Sequence, residues 1–414
     1  MARLEGGGHV FVHVHCTCTL SLVLVHDLSC SPSALRCPPM IYLDHHAATP
    51  LSPTVVSAME SAHREAWANP SSVHSAGRAA RSRLEASRRS IARAVGAQPA
   101  DLVFTGGGTE ACNLAVLGLV GERAAGAHLV TSALEHPAVL GALDALLVRG
   151  ARVQQLPLAN ALPPSPSALA EALRDDTALV ALQWVNHETG CIAPVHAYAE
   201  LCRSRGVPLV VDASQVLGKL PCDVEALGAS AVVFAASKLG GPAGAAALWV
   251  DRARPLAQLS FGGAQERGRR AGTPDVAALT GFAAAVEAVP ARLAERERLA
   301  RRRDRLEQAL VALGAAVNAA AAGGERVATV CNVSVPGWRG EVLVAALDLE
   351  GLCASAGAAC SSGLGAPSPV LLGLYPDEPW RAESALRLSL GPETSDDDVT
   401  QAIEILQRVL GRGA

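Results

Sequence analysis

Short apolar runs that end in polar residues recur along the chain from Met40 onward. Pro208–Val211 and Ala231–Ala236 are rich in valine and nearly continuous; they end at Asp212 and at Ser237–Lys238. Runs of this kind match strands buried on both faces of a parallel sheet. Further strands are predicted at Asp101–Thr105, from His128, at Ala178–Val185 and at Ala245–Val250. Helical periodicity separates them, as at Gly77–Val95 and Ala111–Leu119. The alternation predicts an α/β fold with a doubly wound, mainly parallel sheet. After it, Ala291–Leu313 reads as one long, highly charged helix whose change of composition marks a domain boundary. Strand-like and helical stretches then resume at Thr329–Val335, Glu341–Leu349 and Ser384–Gly391. The expected organisation is an extension over 1–39, an N-terminal segment over 40–55 that packs with the small domain, a large domain over 56–290, and a smaller α/β C-terminal domain over 291–414.

Length supports that division, because 414 residues exceed the size at which a single core stops growing. Half the residues are apolar and 18% are charged, as in a globular protein with a large core. A net charge of −4 argues against a nucleic-acid surface. No membrane partner is expected either: the apolar stretch within residues 9–30 is too short and too interrupted by His and Cys to span a bilayer. Eleven cysteines without regular spacing do not suggest a disulfide framework, and a reduced cytoplasm is the expected compartment. His13, His15, Cys16, Cys18, His26, Cys30 and Cys37 match no standard zinc spacing. Residues 1–39 are expected to be a poorly ordered extension upstream of a natural start at Met40.

Candidate chemistry gathers at the strand ends, where open α/β sheets bind ligands. Asp212 leaves one end and Lys238 the next. An aspartate for a ring nitrogen and a lysine for a Schiff base is the pairing that pyridoxal phosphate requires, although a helix cap and a solvated loop lysine read equally well. Gly106-Gly107-Gly108-Thr109, between a strand and a helix, offers backbone N–H groups and a hydroxyl to a phosphate; a tight turn wants the same glycines. His136 emerges at the same edge. The loop Phe261–Thr273, rich in Gly and Arg, can hold an anion or serve as a solvated or subunit-contact loop. Cys360 stands in a small-residue loop, the setting of a reactive thiol, whereas Cys112, Cys191 and Cys331 lie in apolar contexts and read as packing. Arg387 interrupts an apolar strand, a costly place for a charge unless it is paired; a substrate carboxylate would pair it bidentately.

These stretches together resemble the NifS/IscS-type cysteine desulfurases of the class V aminotransferase superfamily, which have the type I pyridoxal phosphate fold. The likeness spans Met40 to about Val409 and rests on YLDHHAATP, NPSSVHSAGR, FTGGGTEACNLAV, EHPAV, VNHETG, VDASQVLGKLPCDV, GGAQERGRRAGT, SAGAACSSG and LRLSLG. It implies that Lys238 forms the Schiff base, Asp212 pairs with the ring nitrogen, His136 stacks on the ring and moves protons, and Gln215 bonds the phenolic oxygen. Gly108, Thr109 and Ser237 are implied at the phosphate, with Thr273 reaching the phosphate of the other subunit in a homodimer. Asn186 and Arg387 would bind the carboxylate of L-cysteine. Cys360 would take its sulfur as a persulfide for an acceptor protein or small thiol. Selenocysteine lyases share nearly all of this site, and a degenerate paralogue acting as a scaffold would share the fold. One departure stands out. Ala235-Ala236-Ser237-Lys238 replaces the usual Ser-x-His-Lys, and Ala243 replaces a lysine in G-P-K-G. A lost charge-assisted hydrogen bond of roughly 1.5–3 kcal/mol lowers cofactor affinity about ten-fold or more.

Overall fold

The computed structural model describes residues 40–319, 325–357 and 366–411, so the extension 1–39 and Cys360 lie outside the described residues. The chain enters as β1 (Ile41–Tyr42), passes through a polar turn, and starts α1 (Pro53–Glu65). Ser52 caps that helix by accepting the Val55 N–H, with Pro53 at its first position. After α2 (Ser75–Ala94) the strands follow in quick succession: β2 (Leu102–Thr105), β3 (His128–Thr131), β4 (Arg152–Gln155), β5 (Thr177–Gln183), β6 (Leu209–Asp212), β7 (Ala231–Ala235) and β8 (Ala246–Val250). Between β2 and β3 runs α3 (Gly108–Val120), and between β3 and β4 runs α4 (Pro137–Val148).

These seven strands form one sheet in the order β2-β8-β7-β6-β5-β3-β4. Only β8 runs antiparallel to its neighbours, β7 and β2. The remaining pairs are parallel, as the valine runs predict. Alternate residues of each strand feed different cores: Val211, Val232 and Phe234 pack on one face, Val210, Val233 and Leu248 on the other. Burial on both sides is why the runs look continuous rather than alternating. The apolar helix Val276–Val286 packs across α1 and α2, and most of it is buried.

The C-terminal part holds β9 (Ala316–Val317), β10 (Val330–Ser334), β11 (Leu352–Cys353) and β12 (Ala385–Ser389). Strands β12, β10 and β9 make an antiparallel sheet in that order, while β11 pairs in parallel with β1. Ile41 and Leu43 enter the same core as Leu306, Leu310, Leu386 and Leu388. The single helix expected over Ala291–Leu313 is two, Val289–Ala294 and Arg296–Ala312. At Glu295 the backbone N–H is shared between the Ala291 and Arg292 carbonyls, so the last turn tightens. Leu299, Leu306 and Leu310 then reach the C-terminal core, and Arg292 stays with the large sheet. Charge pattern alone does not register such a break.

The Phe261–Thr273 loop is latched by a buried ion pair. Arg88 on α2 donates from Nη2 to Glu266 Oε1 (2.6 Å) and from Nη1 to Oε2 (2.9 Å), with both side chains nearly inaccessible. Glu266 also accepts the Phe104 N–H of β2, and the guanidinium lies over the Phe104 ring. Glu266 and Arg267 sit at φ 48° and 58°, a region side chains rarely adopt, so the pair holds a strained turn. Arg88→Leu strands the Glu266 charge and is expected to cost about 3–5 kcal/mol in urea denaturation, with most of it restored in the Arg88→Leu/Glu266→Leu double variant. A single-variant loss below about 1 kcal/mol would show that the latch is not structural.

Candidate active site

The carboxyl ends of the parallel strands open on one cavity. Asp212 is the last residue of β6, and its Oδ1 accepts the Ser214 N–H at 2.9 Å. The Cys112 thiol of α3 lies against the same carboxylate; burial, then Asp212, pushes that thiol well up, so it stays protonated. Cys112 is therefore a packing residue, as its context suggests, that also bears on the acid. Lys238 leaves β7 in a single tight turn, Ala236–Leu239, and donates to the Ala47 carbonyl at 2.5 Å. His136 caps α4, its Nδ1 accepting the Ala138 N–H at 3.1 Å. That bond places the hydrogen of the neutral ring on Nε2. Burial, partly offset by Asp212, holds His136 below the ordinary histidine value.

The N-terminal turn and β12 close the cavity. Arg387 is 1% exposed; its Nη2 donates to Asp44 Oδ1 (2.7 Å) and its Nη1 to the His187 carbonyl (3.0 Å). Its Nε–H is buried with no acceptor among the described residues. Gln215 donates from Nε2 to the His46 carbonyl and accepts the Lys219 ammonium at Oε1, each at 2.9 Å. His46 and His187 are both buried, and burial drives each well below the usual histidine value. The His187 ring meets His136 edge to face, with centroids 5.3 Å apart.

Other candidates fall around the rim. The N-terminus of α3 is capped by Gly107 with no side-chain cap bond, and space beside Gly107 is open. A Cβ on Gly108 would meet the Ala235 Cβ at 3.2 Å and the Ser214 Oγ at 3.6 Å, so free amides, Ser214 and Ala235 share one cradle. Thr109 stands exposed at the start of that helix. Ser237 is half-buried, its carbonyl accepting the Thr49 N–H. Thr273 is exposed beyond the Glu266 latch and does not line this cavity.

Asn186 is largely engaged by its own turn. Its Oδ1 accepts the Glu188 and Thr189 N–H groups and the Thr189 hydroxyl, while Nδ2 donates to the Leu134 carbonyl. One Nδ2–H remains for a ligand, and the side chain borders an adjoining small cavity. Sequence reasoning passes over Asp44, His46, His187 and Lys219. Asp44 had a signal: a buried strand arginine demands an acid, and LDHH supplies one in an ordered turn.

A class-V aminotransferase family model matches residues 41–402. The chain belongs to the class-V aminotransferase family. Within it, this chain is 40% identical to the IscS-like cysteine desulfurase of Mycobacterium tuberculosis, over 90% of this chain and 97% of that one. It is 34% identical to the cysteine desulfurase IscS of Dictyoglomus turgidum, over 89% and 94%. Among solved structures, a NifS-like protein superposes with a TM-score of 0.82 at 28% identity, covering 90% of this chain and all of that one. SspA in complex with cysteine follows, with a TM-score of 0.74 at 30% identity, over 86% and 99%. The NifS/IscS resemblance and the predicted fold class are thus borne out.

Class-V aminotransferases use pyridoxal phosphate. The residues present fit it: an uncapped helix N-terminus for a phosphate, an acid fixed by a backbone N–H, and a lysine between the two strand ends. His45, beside this site, gives a pH dependence. Its ring is boxed in by Tyr42 and by Gly391, where a Cβ would overlap it, and its Nδ1 has no partner among the described residues. Burial, then Lys219, lowers it to about 4. A folded-state value below the unfolded one means that the unfolded chain binds the proton first, so this contribution is complete above about pH 6.5 and is lost as pH falls towards 4. Urea titrations should show roughly 3 kcal/mol lost across that window from His45, and His45→Asn should flatten the slope. An unchanged slope would mean that His45 titrates normally.

Proposed function

We propose that the protein is a cysteine desulfurase dependent on pyridoxal phosphate, converting L-cysteine to L-alanine and passing the sulfur to Cys360 and on to an acceptor thiol or protein. The observation that carries this reading is the convergence of Lys238, Asp212 and Arg387 on one cavity, in a chain whose relatives are cysteine desulfurases. Bound pyridoxal phosphate supplies a covalent seat for the substrate amine and an electron-withdrawing ring. Lys238 presents its amine there and carries protons to and from the substrate. Asp212, held by the Ser214 N–H, supplies the negative charge that keeps a ring nitrogen protonated. His136 brings an Nε2–H and a flat face to the cavity, and Gln215 offers its second Nε2 hydrogen to the phenolic oxygen. Gly108, Thr109 and Ser237 would hold the phosphate.

Arg387 is the carboxylate clamp. Asp44 and the His187 carbonyl fix its plane, and its free Nε–H supports an additional contact to a substrate carboxylate. Asn186 supplies its remaining N–H. Thr273 acts on the partner subunit's cofactor in a homodimer, which accords with its exposure outside its own cavity.

Purified protein loaded with pyridoxal phosphate should release alanine from L-cysteine, and sulfide as well when dithiothreitol is present to reduce the Cys360 persulfide, and borohydride should fix the cofactor on Lys238. In Cys360→Ala, sulfide release should fall at least a hundred-fold while the absorbance change on adding L-cysteine persists. Wild-type sulfide release by that variant would remove Cys360 from the reaction. Ala235 lies 3.2 Å from where a Gly108 side chain would begin, which puts it in the phosphate cradle. Ala235→Ser is therefore expected to tighten pyridoxal phosphate binding about ten-fold, measured by equilibrium dialysis. An unchanged affinity would move the cradle elsewhere.

A further inference from the structure

Lys219 has no part in the scheme above, yet it is among the most enclosed charges in the protein. It is 8% exposed, and its ammonium donates to Gln215 Oε1 at 2.9 Å. An ammonium has three donors and, once buried, normally demands a carboxylate. Among the described residues none forms an ion pair with it, and its charged neighbours are the cations Arg292 and Lys238.

The backbone is shaped to bring these cations together. Gly218 lies at φ +75°, and a Cβ there would meet Leu239 Cδ1 at 2.9 Å and the Arg292 stem at 3.0 Å. A Cβ on Gly240 would lie 3.0 Å from Arg292 Nη2. The Arg292 guanidinium thus rests two residues past Lys238 and beside Lys219. Lys219, Lys238 and Arg292 border one cavity together with His45 and Thr49.

We propose that Lys219 is a positioning residue for Lys238: its buried ammonium, backed by Arg292, orients the Gln215 amide and keeps the Lys238 amine unprotonated and nucleophilic. The inference rests on the reading of Lys238 as the cofactor lysine. Two effects support it. Lys219 occupies Gln215 Oε1, so the amide has one orientation and its Nε2 side faces the His46 carbonyl and the cavity. A neighbouring cation in a desolvated site also disfavours a second proton, a known way to activate a lysine.

The charges around Lys238 do not all act alike. Lys219 and Lys238 repel each other, with Arg292 adding to the positive charge at Lys219, while Asp212 and Lys238 act in opposite senses on His136. His45, His46 and His136 are held below the usual histidine value and add no charge near neutrality. Burial, then Arg292 and Lys238, lowers Lys219 itself to about 7, so its influence is strongest below that pH. Glu393 offsets part of the burial of Arg292.

The test uses the full chain freed of cofactor. Trace acylation by acetic anhydride is followed against pH, and Lys238 labelling is read by peptide mass spectrometry. In the wild type, the half-maximal rate should fall at about pH 7 or below, where Lys219 still carries its charge, against the ordinary lysine value of about 10.4. Lys219→Met should move the midpoint upward by about 1 unit, and Lys219→Arg should restore it. Arg292→Gln should shift it in the same direction as Lys219→Met, which covers a poorly folding Lys219→Met chain. A wild-type midpoint near about 10.4, or the same midpoint in wild type, Lys219→Met and Arg292→Gln, overturns the proposal. Borohydride trapping of pyridoxal phosphate on Lys238 is scored separately. Failure of trapping with a low wild-type midpoint counts against the cofactor assignment and leaves the role of Lys219 standing.

Discussion

A guanidinium that water does not reach holds the site together. Arg387 projects from the middle of β12, and burying such a charge costs several kcal/mol unless it is fully engaged. Asp44 answers the charge, and the His187 carbonyl takes a second donor. The partners come from the N-terminal turn and from the segment after β5, so one side chain ties the C-terminal sheet to two walls of the cavity. The Arg387 backbone exchanges hydrogen bonds with Ser355, which brings the chain leading to Gly357 to the same place. There the Glu188 carboxylate meets Gly357 and accepts the Ser368 hydroxyl.

The parallel sheet is legible in the sequence because its strands are buried on both faces and end abruptly in polar residues. Asp212 and Lys238 emerge from such ends, and so their shared edge can be read directly. The direction of β8 cannot be read that way: a strand covered on both sides has the same apolar run whichever way it points. The break at Glu295 is equally silent, since a shared N–H leaves no mark in charge pattern or periodicity. The bonds that Asn186 makes within its own turn are not visible in the sequence either, since they depend on how the loop folds back on Leu134. Asp44 and Arg387, 343 positions apart, find each other only in the fold.

The departures around Lys238 acquire a location. Ala235 faces the start of α3 across a van der Waals gap, so a methyl stands where a hydroxyl would have been a donor. The lysine and the acid keep their supports: the Ala47 carbonyl for one, the Ser214 N–H for the other. On the proposed reading, retention of the cofactor and its chemistry would depend on different atoms of the same short segment.

The 343-residue span between Asp44 and Arg387 has a consequence for biogenesis. All seven strands of the large sheet have been synthesised by Val250, so a nascent chain can assemble that sheet early. Asp44 must wait for Arg387 on β12, which is made long after the large sheet. Until β12 has emerged, the N-terminal turn lacks this guanidinium and the cavity lacks a wall. Capture of a ligand that needs Arg387 therefore follows the synthesis of β12 and cannot accompany assembly of the large sheet.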